Sequence, residues 1–177
     1  MHWRRLRRRC RRVIDGIPLP EPFSARELCA RLAADRDRPL RLMTLPTPTG
    51  PGMPTGMWLA TEEGDYVFYD GRTSPLHQEH IILHEIGHLV CDHRTAVEDQ
   101  RLFRYIDIED PHSIRQALGR TRYSDRQEQE AEMIASLILE GAGRVPAPTL
   151  LSGTLGGLAS GMGLRDARHP GAPCSPG

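Results

Sequence analysis

Residues 80–93, HIILHEIGHLVCDH, hold four histidines, two acids and a cysteine among large aliphatic side chains. Within this stretch, His84, Glu85 and His88 form an HExxH motif. Residues four apart share one face of a helix, so both imidazoles can reach a single zinc ion. Glu85 is rotated by about 100° from His84, outside the ligand set but near a water on the metal. Zinc lowers the pKa of such a water to about 7, and the carboxylate can take its proton as the water attacks a carbonyl.

The surroundings of the motif favour a metal site over a buried helix that happens to be rich in histidine. Large apolar residues flank it (Ile81, Ile82, Leu83, Ile86, Leu89 and Val90), and Gly87 lets another element approach closely. A structural role would require a hydrogen bond in the core for each buried histidine and for the glutamate, because unpartnered polar groups are costly to bury. The motif therefore predicts metal-assisted hydrolysis.

The neighbouring histidines are weaker candidates. His80 and His84 form a second pair four residues apart, but only the pair 84 and 88 has a glutamate at the catalytic offset. We expect His77 and His80 near the helix entrance and partly exposed. His93 does not complete a metzincin motif, which requires a histidine at position 94.

Asp92 follows His88 by four residues. It is either a hydrogen-bond partner for an imidazole or an ordinary acid at the helix end, and the sequence leaves both open. A catalytic zinc also needs a third protein ligand, and the acidic run EQEAE at 128–132 is the richest supply of carboxylates on a second buried helix.

HEIGHLVCDH followed by EQEAEMIASLIL resembles the ImmA/IrrE family of metallopeptidases, whose pattern is HExxH and then E-x-x-A-[NDE]-x-x-A. The resemblance covers roughly residues 20–140. It implies that Glu128 is the third zinc ligand, with Ala131, Glu132 and Ala135 at the matching positions. Small alanine side chains would let two helices pack closely enough to share a metal.

Glu130 and Glu132 remain competing ligands. The family usually has Asn or Asp at the position of Glu132 and an aromatic residue at that of Ile134, and its proline-ended LLxP segment is replaced by LILEG. Glu128 and Glu132 share one helix face, whereas Glu130 points about 200° away from Glu128. Because the resemblance places the ligand at the first glutamate of the second motif, we favour Glu128.

The resemblance also implies a function. It predicts a zinc metallo-endopeptidase in which Glu85 acts as general base and then as proton donor to the leaving amine. Its substrate is expected to be a protein, often an XRE-type helix-turn-helix repressor, and some relatives are toxin-like components of such gene pairs. Tyr123, Tyr105 and His112 are candidates for a side chain that stabilises the transition state, and the sequence does not select among them.

The predicted fold class is α+β, minimal gluzincin-like, with a small antiparallel or mixed sheet of about three strands packed on the HExxH helix and a second ligand-bearing helix. Capping boxes begin helices at Ser24 and Ser124, and Ser74 with Pro75 begins the HExxH helix. Alternating apolar residues predict a strand at 38–45, residues 46–56 form a loop, and 57–70 is a β-hairpin in which an extended peptide could add to the sheet edge. In residues 94–123, the sequence predicts a break at Asp110-Pro111 flanked by one or two short helices.

Composition predicts one soluble domain in the 177 residues, with residues 1–19 as a basic segment, 20–141 as the metallopeptidase domain and 142–177 as a disordered Gly/Pro-rich tail.

The 23 basic residues are all arginine, and seven of them lie within residues 4–12. We expect this run to be a solvated helix with Leu6, Cys10 and Val13 packed inward, and direct nucleic-acid binding is not favoured. The four scattered cysteines, and the lack of a signal peptide or an apolar span, predict a cytoplasmic protein. The alternative function is an inactive zinc-stabilised module that binds a transcription regulator or nucleic acid.

Overall fold

The computed structural model describes residues 2–48, 50, 52–93 and 106–144. Within these ranges the chain is α+β, with five helices and a three-stranded mixed sheet. The elements are α1 (His2–Asp15), α2 (Ala25–Asp35), β1 (Leu40–Thr44), β2 (Gly56–Ala60), β3 (Asp65–Tyr69), α3 (Pro75–Val90), α4 (Pro111–Arg120) and α5 (Asp125–Gly141). The predicted fold class is thus confirmed at this level. In the described part of the chain, no helix is long and apolar enough to cross a membrane. The tail predicted to be disordered lies, from residue 145 on, outside the described residues.

The helices begin where the sequence places their caps. The side chains of Ser24 and Ser74 accept from the backbone N–H three residues on, and Ser124 forms a full capping box with Gln127. Asp110 caps α4 in the same way, just before the proline that starts the helix. The predicted break at Asp110-Pro111 is therefore the start of a helix.

The sheet has the order β1-β3-β2. β1 runs parallel to β3, with Leu40 opposite Asp65, and β2 runs antiparallel to β3, with Gly56 opposite Tyr69. The predicted hairpin is confirmed, and β2 forms one edge of the sheet. Its backbone bonds to β3 alternate, so the N–H and C=O groups of Gly56, Trp58 and Ala60 face away from β3.

Apolar side chains pack on both faces of the sheet, as expected for a central strand that is buried on both sides. On one face, Val67 joins the main core formed by α1, α2, α3 and α5. On the other face, Tyr66 and Phe68 pack against Ile114 and Leu118 of α4. The HExxH helix therefore lies between the sheet and α5, held by apolar contacts on two sides.

Helix α1 belongs to the same core. Leu6 and Cys10 are buried and Val13 is partly buried against it, as predicted. Arg7 pairs with Glu140 of α5 at 2.7 Å, and Arg9 pairs with Glu130 of the same helix at 2.8 Å. Part of the arginine run is thus engaged by the acids of α5.

Candidate metal centre

Helices α3 and α5 meet at their smallest residues. A Cβ atom built on Gly87 would lie 2.8 Å from Cα and 2.9 Å from the carbonyl oxygen of Ala131, so no larger residue fits there without a shift of backbone. This close approach is the one expected of Gly87 and of the alanines on the second helix. It brings the polar side chains of both helices within reach of one another.

His84, His88 and Glu128, called here the HExxH cluster, converge at this contact. The Nε2 atom of His84 lies 3.1 Å from Glu128 Oε2 and 3.1 Å from Nε2 of His88, and His88 Nε2 lies 3.8 Å from Glu128 Oε2. The three donor atoms all lie within 4.8 Å of one another. Two imidazoles and a carboxylate are the donor set of many catalytic zinc sites. The structure thus brings together the three residues that the sequence nominated as ligands.

A proton is held among carboxylates in this cluster. Burial alone would lower the pKa of His84, but its bonds with Glu128 and Glu132 and the charge of Glu85 raise that pKa to about 10. Burial opposes ionisation of Glu128, yet its bonds with the two histidines lower its pKa to about 2. The pKa of His88 falls to about 4, first through burial and then through its histidine neighbours. In the metal-free protein the cluster therefore holds a proton on His84 between carboxylates.

Glu85 is buried beside the cluster and against strand β2. A Cβ atom on Gly56 would lie 2.7 Å from Glu85 Oε1, so the strand passes directly over the carboxylate. Burial, with the charge of Glu128, raises the pKa of Glu85 to about 7, against the lowering effect of His84 and of the Trp58 backbone. Its Oε2 atom is buried and has no hydrogen-bond partner among the described residues. Such a carboxyl group is suited to accept and return a proton near neutral pH.

Tyr123 is the transition-state candidate that lies at the cluster. Its ring stacks on the imidazole of His88 with the centroids 3.6 Å apart. Burial and the charges of Glu85 and Glu128 hold its pKa well above the ordinary value, so its hydroxyl stays protonated and can donate. His112 lies exposed on α4 with Gln116 as its partner, and Tyr105 lies outside the described residues.

The other histidines of α3 occupy the positions expected of them. His77 is exposed in the first turn, and His80 is partly buried, with its Nε2 atom 3.1 Å from Glu132 Oε2. Glu132 also lies 3.5 Å from Nδ1 of His84, on the side of that ring away from Glu128. It can therefore orient His84. Its Oε1 atom is buried without a hydrogen-bond partner among the described residues.

His93 was not identified as a site residue from the sequence, and its position follows from the end of α3. Asp92 has a positive φ of 50°, its N–H bonds to the carbonyl of Leu89, and the N–H of His93 bonds to the carbonyl of His88. This is a Schellman ending, and it folds His93 back against His88. The available signal was an aspartate directly after the helix, since Asp tolerates the left-handed conformation. Asp92 thus lies just past the helix end.

Cys91, His93 and Glu130, called here the rear cluster, form a second group whose donor atoms lie within 4.8 Å of one another. His93 Nε2 lies 3.1 Å from Glu130 Oε2, and its Nδ1 lies 3.0 Å from Nδ1 of His88. Glu130 is buried, with Arg9 2.8 Å from its Oε1 atom. The structure therefore places Glu130 in the rear cluster and not beside Glu128 in the HExxH cluster.

The chain was compared with protein-family models, with curated proteins and with solved structures. None of these comparisons gave a match. The function is therefore inferred from the geometry and chemistry of the residues described above.

Proposed function

We propose that this protein is a zinc metallo-endopeptidase with a minimal gluzincin-like fold, of the kind that its resemblance to the ImmA/IrrE family implies. The observation that carries the proposal is the convergence of His84, His88 and Glu128 beside the buried carboxyl group of Glu85. A purely structural zinc site has four protein ligands and no need for such a carboxyl group.

The residues of the HExxH cluster fit zinc in kind and in charge. His84, His88 and Glu128 would hold the ion through two imidazole nitrogens and one carboxylate oxygen. Glu128 has a side chain 46% exposed, so one side of the cluster is open to solvent and to a substrate. When bound, the zinc ion supplies Lewis-acid activation of water and of the substrate carbonyl.

Each remaining residue of the site has a task in peptide hydrolysis. Glu85 accepts the proton of the attacking water and passes it to the leaving amine. Its pKa of about 7 lets the carboxyl group both take up and release a proton near neutral pH. Glu132 accepts a hydrogen bond from Nδ1 of His84 and so fixes the ring of that ligand. The protonated hydroxyl of Tyr123 donates to the oxygen on which negative charge develops.

Strand β2 supplies the place for an extended substrate. It is an edge strand, and its outward backbone groups, apart from the Trp58 N–H that bonds to Glu85, can pair with a peptide by strand addition. Gly56 lies against Glu85, so a peptide on this edge has its backbone next to the general base. Ala60 is exposed at the far end of the strand.

The proposed substrate is a protein. The resemblance points to an XRE-type helix-turn-helix repressor, whose cleavage in the cytoplasm would relieve repression. This assignment rests on the family analogy.

The test is a comparison of the wild type with Glu85→Gln and with Glu63→Gln, a change of an exposed glutamate in the hairpin turn. Each zinc-loaded protein is incubated with a peptide library digested from a bacterial proteome and with purified XRE-type repressors, and new termini are identified by mass spectrometry. We expect cleavage by the wild type and by Glu63→Gln, and a loss of roughly 10²- to 10⁴-fold in Glu85→Gln with zinc retained.

Equal cleavage by Glu85→Gln would contradict the assignment of the general base. A wild type that binds zinc and a repressor but cleaves nothing would instead favour the inactive binding module.

A further inference from the structure

A chain of buried hydrogen bonds leads away from the HExxH cluster. It starts at Nδ1 of His88, on the side of the ring opposite Nε2, the candidate ligand atom. His88 Nδ1 lies 3.0 Å from His93 Nδ1, and His93 Nε2 lies 3.1 Å from Glu130 Oε2. All three residues are buried: His88 is 1% exposed, His93 is 5% exposed and Glu130 is 4% exposed. The other oxygen of Glu130 lies 2.8 Å from Arg9 of α1 and 3.4 Å from Arg126.

The positions of the protons follow from these partners. Glu130 is paired with two arginines, so it is a carboxylate that accepts from the N–H at His93 Nε2. A neutral His93 then has a lone pair at Nδ1, and the Nδ1 of His88 must be the donor to it. His88 is left with a lone pair at Nε2, the atom that faces His84 and Glu128.

We propose that Glu130 and His93 are positioning residues that fix the ring and tautomer of His88, so that its Nε2 is always presented as a metal ligand. The proposal rests on the proposed zinc site, because it gives His88 Nε2 that role. Arg9 links this chain of hydrogen bonds to α1. The basic N-terminal helix therefore supports the site through the buried carboxylate of Glu130.

The same proton arrangement excludes simultaneous metal binding by the rear cluster. A metal on His93 Nε2 would require the proton to sit on His93 Nδ1, which would donate to His88 Nδ1 and leave His88 Nε2 protonated. Arg9 and Arg126 beside Glu130 also oppose a second cation. We therefore expect one metal ion per chain.

The first arm of the test is nuclear magnetic resonance of the full-length, metal-free, ¹⁵N-labelled protein. Long-range proton–nitrogen correlations of the histidine rings report which nitrogen carries the proton, with assignments from His88→Gln and His93→Gln. We expect the proton on Nδ1 of His88 and on Nε2 of His93. A proton on Nε2 of His88, or a doubly protonated His93, would overturn the proposal.

The second arm is zinc affinity by competition with a chromophoric chelator, with circular dichroism as a check of folding. His93→Phe removes the acceptor for His88 and should weaken zinc binding about 10- to 100-fold. In His93→Gln the amide oxygen can accept from His88 and the amide nitrogen can donate to Glu130, so affinity should stay within about threefold of the wild type. Cys91→Ser changes the rear cluster but leaves every member of the hydrogen-bond chain in place. It should bind zinc as the wild type does.

A folded His93→Phe with unchanged affinity would overturn the proposal, and so would a loss of zinc in Cys91→Ser. Failure of the proposed function is distinguishable from these results. If the wild type binds no zinc, the metallopeptidase is refuted, whereas the ring tautomers of the metal-free protein still decide whether the hydrogen-bond chain exists.

Discussion

The HExxH cluster and the rear cluster are similar in donor type and spacing, yet they differ in charge and access. Each brings three candidate ligand atoms within 4.8 Å, and both include a glutamate of α5. In the HExxH cluster, Glu128 is 46% exposed and pairs with histidines that a metal can deprotonate. In the rear cluster, Glu130 is buried and pairs with Arg9 and Arg126.

This difference teaches that proximity of ligand atoms does not define a metal site. A cation is favoured where carboxylates outnumber fixed positive charges, and it is disfavoured beside two guanidinium groups that cannot lose their protons. One buried carboxylate oxygen each of Glu85 and Glu132, beside the HExxH cluster, has no hydrogen-bond partner among the described residues. In the rear cluster, His93 and Glu130 already have polar partners within the protein.

Zinc binding should release a proton from His84, and this is the largest effect we expect. In the metal-free protein its pKa of about 10 keeps the ring protonated, so zinc must displace that proton. Between about pH 6.5 and pH 5, below the pKa of about 7 of a zinc-bound water, each unit of acidification should therefore weaken zinc binding about tenfold. Calorimetry in two buffers of different ionisation enthalpy counts the protons. At about pH 6, one proton per zinc in both the wild type and Cys91→Ser supports the HExxH cluster, whereas proton release that disappears in Cys91→Ser would indicate that the Cys91 thiol, whose pKa is raised by burial, is a ligand.

Gly87→Ala should loosen both clusters at once. The added methyl group meets the backbone of Ala131, and overpacking of this kind costs about 1–3 kcal/mol. Urea unfolding measures the loss, and zinc affinity should fall with it because the ligands lie on both helices. Gly119→Ala in α4 is the control, since its new methyl group meets no described atom within 4 Å apart from its chain neighbours and the nearby backbone of its own helix. Equal stability of the two variants would contradict the close helix contact.

Asp92→Val should disturb the rear cluster, and its loss of folding stability should be the smallest effect of the three predictions. A β-branched residue is strained at the φ of 50° found there, by roughly 1–2 kcal/mol, and the strain would loosen His93. Asp92→Gly relieves that strain and should unfold within about 0.5 kcal/mol of the wild type in urea. If Asp92→Val were as stable as Asp92→Gly, the left-handed ending of α3 would be wrong.

Local signals in the sequence were sufficient for most of the fold. Serine caps, a proline at the first helical position and alternating apolar residues placed the helices and the hairpin because each depends on a few neighbouring residues. The motif spacing also identified His84 and His88, and the family resemblance added Glu128 as the third member of the HExxH cluster. The parallel pairing of β1 with β3 was not foreseen, since it joins strands separated by a hairpin partner.

The rear cluster could not be foreseen for the same reason. His93 reaches His88 only because Asp92 adopts a left-handed conformation, and Glu130 is held by an arginine more than a hundred residues away in the sequence. A helix-wheel estimate gave the direction of Glu130 away from Glu128, but it could not name Arg9 or His93 as its partners. Long-range charge pairing is set by how whole helices pack, which spacing within one helix does not encode.

The central claim, one metal ion held by the HExxH cluster, is tested most directly by elemental analysis of zinc per chain. The wild type, Glu128→Ala and Cys91→Ser are purified side by side and loaded with zinc under identical conditions. We predict close to one zinc in the wild type and in Cys91→Ser, and near none in Glu128→Ala. Two zinc ions in the wild type, or zinc kept by Glu128→Ala and lost from Cys91→Ser, would contradict the claim and move the metal to the rear cluster.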